Sequence, residues 1–99
     1  MSERFIEALQ HELAEERAGA LGRCGRRLED ALERFRDHEA AEGLSVAKRE
    51  RLLWDLAERV EAFVVHLEAC GLRDPRQVLE LHGVPAAVIA RVGARRPRN

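Results

Sequence analysis

Two look-alike segments hold most of the groups in this chain that could bind a metal: His11-Glu12-Leu13-Ala14-Glu15 and His38-Glu39-Ala40-Ala41-Glu42. Each sets a histidine and a glutamate four residues apart, on one face of a helix, and Glu7 extends the first set. A zinc-protease helix needs two histidines around its catalytic glutamate, and here a glutamate stands in the second place. Ferritin-like di-iron bundles need Glu-x-x-His from two helices with further glutamates from two others, and that spacing is absent. Ordinary ion pairing on a solvated face accounts for both segments, so no metal site is expected.

Cys24 and Cys70 fall on apolar stripes, where a free cysteine behaves as a small buried hydrophobe. They form no Cys-x-x-Cys pair, and the register given below sets them ~10 Å apart, beyond disulfide reach. His66 and His82 fall near helix ends, where a cationic imidazole suits the C-terminal dipole. No nucleophile stands beside a base, no glycine-rich loop could cradle a phosphate, and no carboxylate pair sits in an apolar setting. The chain is expected to be no enzyme and to need no cofactor.

The segment from Val78 to Val92 offers a different chemistry. Two short helices around Gly83-Val84, followed by Arg95, Arg96 and Arg98, look like a DNA-binding helix-turn-helix. Leu79, however, takes the place of the small residue that lets such helices cross, and His82 stands where an apolar residue packs. The would-be reading helix presents Ala86, Ala87, Val88 and Ala90, which carry no groups for base edges. Nucleic-acid contact through Arg91, Arg95, Arg96 and Arg98 is therefore the second functional reading. A packing role for the segment comes first.

The elements that must hold these groups are helical. Apolar or small residues at Ile6, Leu9, Leu13, Ala20, Cys24, Leu28, Ala31 and Phe35 follow a helical period, interrupted at Arg17. They predict one long helix over about 3–41. Gly19, Gly22 and Gly25 each cost roughly 1 kcal/mol against alanine in a helix interior. The apolar phase nevertheless runs through them, which predicts a continuous or mildly bent helix. Gly43 is placed to end it and Ser45 to cap the next. The second helix, about 46–70, carries its stripe at Leu53, Leu56, Val60, Phe63, Leu67 and Cys70. Gly71 stops it, with Leu72 folding back toward Leu67.

Asp74-Pro75-Arg76-Gln77 reads as an N-cap, a first-position proline and a capping-box glutamine. It opens a short helix over 75–82, closed by Gly83 with Val84 against Leu79. Pro85 opens a last helix over 85–92, and 94–99 is expected to be a disordered basic tail.

A short loop makes the two long helices antiparallel neighbours, with Leu28 beside Val60 and Cys24 beside Phe63. The first is longer, so Phe5, Ile6 and Leu9 overshoot the second. Either the short C-terminal helices or a second copy must cover them. Ninety-nine residues predict one domain with little core to spare, and a hydrophobic share rich in alanine favours a core shared between copies. The expected fold is all-α: a long antiparallel helical hairpin plus two short C-terminal helices, in a dimeric helical bundle. Trp54 lies off the main stripe with Val65, bordered by Glu50, Glu58 and Glu61, and joins Phe5, Ile6 and Leu9 as a candidate interface.

The formal net charge of -1 gives no global field toward nucleic acid or membrane. After Glu80 no acid appears while arginines crowd the C-terminus, a pattern that an alanine- and arginine-rich composition from a GC-rich genome accounts for. The N-terminus lacks a signal-peptide apolar run and no stretch reaches the length of a membrane span, so a cytoplasmic protein is expected.

Two stretches carry a family resemblance: Glu16-Arg17-Ala18-Gly19-Ala20-Leu21-Gly22-Arg23 with Arg26-Arg27-Leu28-Glu29, and Glu68-Ala69-Cys70-Gly71-Leu72-Arg73-Asp74. They resemble a family of short bacterial all-helical proteins, a domain of unknown function with an "ERA-ALGR-GRRLE" helix and a "CGLRD" turn. The resemblance spans most of the chain and implies no activity. It makes Arg17, Arg23 and Asp74 candidates for a buried polar network, in which an Arg–Asp pair ties the hairpin to the C-terminal helices. The functional expectation is a non-enzymatic protein–protein interaction or structural module, self-associating as a homodimer or meeting another protein.

Overall fold

The computed structural model describes residues 2–41 and 43–97, and all regular structure among them is helical. The elements are α1 (Glu3–Ala40), α2 (Val46–Ala69), α3 (Arg76–Leu81) and α4 (Ala86–Ile89). Ser2 starts α1 by accepting the Phe5 N–H on its hydroxyl at 3.2 Å. Ser45 starts α2 in the same way, accepting from the Lys48 N–H at 3.1 Å. Thirty-eight residues make α1 about 57 Å long, and the molecule is a rod 62 Å in its long dimension.

The helix runs unbroken through its three glycines. Gly25 has a packing reason, because a Cβ there would lie 3.4 Å from the Phe63 ring. Gly19 and Gly22 have none, since a Cβ at either meets only the end of an arginine side chain on the same helix.

α1 and α2 pack along one seam. Leu28, Leu32 and Phe35 close against Leu53, Leu56, Ala57, Val60, Phe63 and Leu67, and Leu79, Val84 and Val88 join from the C-terminal segment. Each large side chain so buried contributes about 1.5–3 kcal/mol. No polar or charged residue is buried among the described residues.

Gly71 and Gly83 end α2 and α3 in the same way. At the first, the Leu72 N–H reaches back to Leu67 O at 3.1 Å with Gly71 at φ 95°; at the second, the Val84 N–H reaches Leu79 O at 3.1 Å with Gly83 at φ 73°. Both glycines take the left-handed conformation that such an ending needs. Val84 and Leu79 are both buried, so the second ending also anchors the C-terminal segment in the core.

Four expectations need correction. The short C-terminal helices do not cover the start of α1. After Gly71 the chain returns to α2, and Val84 and Val88 join the buried core, of which the exposed Phe5 is no part. The last helix is shorter than 85–92, because beyond Ile89 the bonds tighten to three-residue spacing, Arg91 N–H to Val88 O and Val92 N–H to Ile89 O. α3 starts at Arg76 with Pro75, not Asp74, at its cap position; Asp74 accepts from the Arg76 N–H at 3.1 Å, and Gln77 returns no capping-box bond among the described residues. Cys70 is exposed, because it is the cap residue of α2, beyond the last covered turn, while Cys24 is half-buried against the core.

These backbone assignments separate the glycines by substitution. Gly71→Ala should lower unfolding stability by about 1–2 kcal/mol, since alanine must then hold a left-handed conformation. Gly22→Ala should raise it by about 0.5–1 kcal/mol, with no neighbour to displace. Urea denaturation followed by circular dichroism measures both.

Candidate functional site

Three surfaces could carry function: a C-terminal strap over α2, a groove between the long helices, and the uncovered end of α1.

The strap is built from the arginines that follow α4. Arg91 donates through one guanidinium nitrogen to both oxygens of Glu50, at 2.9 and 3.1 Å, and through the other back to α4 at Ala87 O, 2.6 Å. Its guanidinium carbon lies 5.6 Å from the Trp54 ring centroid, within cation–π range. Its Nε is buried without a hydrogen-bond partner. Arg96 then donates to Asp55 at 2.9 Å and Glu58 at 3.3 Å. Its hydrogen bond to Asp55 is the first cause raising its pKa above the ordinary guanidinium value, so it stays charged.

Of residues 94–97, all exposed, Arg96 is held to α2 by these two ion pairs. Arg98 and Asn99 lie outside the described residues. Of the other proposed nucleic-acid contacts, Arg91 and Arg96 are taken up by carboxylates and Arg95 is exposed. The would-be reading helix is the four residues of α4, with Val88 fully buried in the core.

Trp54, a candidate interface residue, has contacts within its own chain. It is half-buried under Arg91 and lines a small cleft with Glu50, Arg51, Arg96 and Pro97. The acidic strip around it serves arginines of its own chain.

His82, at the end of α3, fastens the other flank. Its ring meets Phe63 edge-on at 5.5 Å between centroids, its Nδ1 pairs with Glu29, and its carbonyl accepts from Arg36 at 3.4 Å. His11 pairs with Glu15 at 2.8 Å on an open helix face. Glu42, which completes the second His/Glu segment, lies outside the described residues. Among the described residues, no three His, Cys, Asp or Glu side chains converge as a metal ion would need.

Arg17, Arg23 and Asp74 are not brought together. Arg17 is exposed, Arg23 stands 3.8 Å from Glu16, and Asp74 accepts from the Arg76 N–H at the start of α3. The buried network expected of them is absent because the turn after Cys70 keeps Asp74 at its own helix.

The groove lies between α1 and α2 and holds about 520 Å³. Phe35, Leu52 and Leu56 form its floor, and Arg34, His38 and Arg59 stand at its edge with Asp55 and Glu58. The uncovered end of α1 is the third surface. Every residue from Glu3 to Ala18 is exposed, and the apolar stripe crosses this stretch, leaving Phe5 55%, Ile6 41%, Leu9 46% and Leu13 46% exposed. Leu13 extends the candidate set of Phe5, Ile6 and Leu9, and its place four residues after Leu9 signalled as much. Val65 is exposed on α2. No described helix is long and apolar enough to cross a membrane.

No protein-family model, no curated protein and no solved structure matches this chain.

Removing the Arg91 side chain should lower stability by about 1–2 kcal/mol, because Glu50 and the Trp54 face both lose it. Lysine should not restore it, lacking the planar fork that holds Glu50 and Ala87 together. Trp54 is the only tryptophan, so its emission should shift to the red in Arg91→Ala and far less in Arg96→Ala, whose pairs stand in water.

Proposed function

We propose that this chain is a non-enzymatic interaction module: an antiparallel helical hairpin, strapped by its own C-terminus, that self-associates through the uncovered end of α1. Two contacts support the antiparallel arrangement. Arg49 near the start of α2 pairs with Glu39 near the end of α1 at 2.7 Å, and Phe63 farther along α2 meets Gly25 farther back in α1. In that register α2 ends level with Gly19, which leaves Glu3–Ala18, sixteen of the thirty-eight residues in α1 and about 24 Å of helix, unmatched.

The observation that carries the reading is the exposure of Phe5, Ile6, Leu9 and Leu13 on one face of that overhang. Scattered single apolar residues on a surface are ordinary, whereas four at helical spacing form a contiguous stripe. An isolated helical turn gains little from propensity alone, so a bare amphipathic helix end is stabilised when its stripe is covered. The nucleic-acid reading is less supported, since Arg91 and Arg96 already hold carboxylates and α4 is a single turn.

Light scattering during size exclusion, across micromolar concentrations, should give the mass of a dimer. Leu9→Asp should shift the equilibrium toward monomer by at least about tenfold in Kd, with helix content unchanged. A monomeric wild-type chain at every concentration removes self-association.

A further inference from the structure

Resting on that reading, we infer that the overhang of one copy docks in the α1–α2 groove of a second copy, and that each copy does this to the other. Lengths, charges and symmetry point the same way. The groove edge on α1 runs from Ala31 to His38, about 10 Å, and the bare stripe from Phe5 to Leu13 runs about 12 Å. Stripe and floor are both aliphatic and aromatic.

The charges oppose. Residues 3–18 carry Glu3, Glu7, Glu12, Glu15 and Glu16 against Arg4 and Arg17, with His11 already on Glu15 and Arg23 3.8 Å from Glu16. Glu12 and Glu16 follow Leu9 and Leu13 by three residues and so border the stripe. The groove offers Arg34 and Arg59, neither of which has a carboxylate within ion-pairing distance among the described residues. Its own two carboxylates, Asp55 and Glu58, are occupied by Arg96. The strap thus leaves the groove with a cationic edge, matched to an acidic helix.

Symmetry closes the arrangement. Leu9 and Phe35 lie twenty-six residues apart, about 39 Å along α1, and this separation is the same in both copies. Two α1 helices packed in opposite directions, about a two-fold axis level with Gly22, therefore seat both overhangs at once. That register sets Arg34 level with Gln10 of the second copy, between Glu7 and Glu12. The occupant is a second copy of this chain, and the interface is closed, leaving no free end to grow a filament.

The test is a charge reversal with its rescue, read by sedimentation equilibrium. Arg34→Glu with Arg59→Glu should weaken the dimer at least about tenfold in Kd. Glu12→Arg with Glu16→Arg should weaken it comparably, and mixing the two variants should restore a mixed dimer with more than either alone. A wild-type dimer whose Kd is unchanged by the Arg34/Arg59 reversal overturns the groove docking and leaves self-association standing. A monomeric wild-type chain overturns both. A mixture no tighter than its parts overturns the pairing of the two surfaces. Circular dichroism of each variant establishes that the helices persist, so a lost dimer reports the interface.

Discussion

Apolar side chains on α1 continue past the point where any other element can cover them. The stripe that buries Leu28, Leu32 and Phe35 keeps its phase back to Phe5, but α2 stops at Gly71, where a left-handed glycine turns the chain around. Helix length is set by caps and glycines; stripe length is set by the apolar pattern. In α2 the two agree, and in α1 they do not. An uncovered stripe is unfavourable in proportion to its apolar area, so this mismatch leaves an attraction for whatever can cover it.

The segment after Gly71 uses its few apolar residues elsewhere. Leu79, Val84 and Val88 fill the seam beside α2, and the arginines that follow finish on carboxylates of α2. A tail of like charges would ordinarily be solvated and mobile. Here the acids of Glu50, Asp55 and Glu58 recur along one face of α2, and the basic residues reach them in order. The Arg91 pairs are partly sheltered and carry more of the fastening than those of Arg96, which water screens. The strap has a second effect. By occupying Asp55 and Glu58 it changes the charge balance of the groove on the same helix, so the C-terminus and the groove are electrostatically coupled through one pair of carboxylates.

Much of this was legible in order along the chain, because short-range rules govern it. Ser45, Gly71 and Gly83 announced helix boundaries through capping chemistry that needs no knowledge of the fold, and α1 passed through Gly19, Gly22 and Gly25 because its apolar phase did. The failures lie where distant segments meet. Asp74 was assigned to a network with Arg17, when its own first turn had the prior claim. Trp54 with its acidic neighbours reads as an interface and the arginine-rich end as a nucleic-acid contact, and neither pattern announces the pairing of Arg91 with Glu50 and Trp54. That they belong to each other depends on how the turn at Gly83 and Val84 aims the chain, which no local pattern encodes. Ser2 is not legible in the apolar period for a smaller reason: a cap lies ahead of the helix it starts and so outside that period.

The same distinction explains why the surfaces differ in what they can do. The Trp54 strip and its arginines are satisfied within one chain, so a partner would have to displace existing pairs, and the gain would be only a difference. The overhang has no such competitor. Its stripe meets water, its five glutamates outnumber Arg4 and Arg17 on the same stretch, and the groove with opposite charge lies some 39 Å away on the same rigid helix. A straight helix cannot fold back to fill its own groove. The stiffness of α1, which its unbroken hydrogen bonding through three glycines provides, therefore converts an intramolecular complementarity into an intermolecular one.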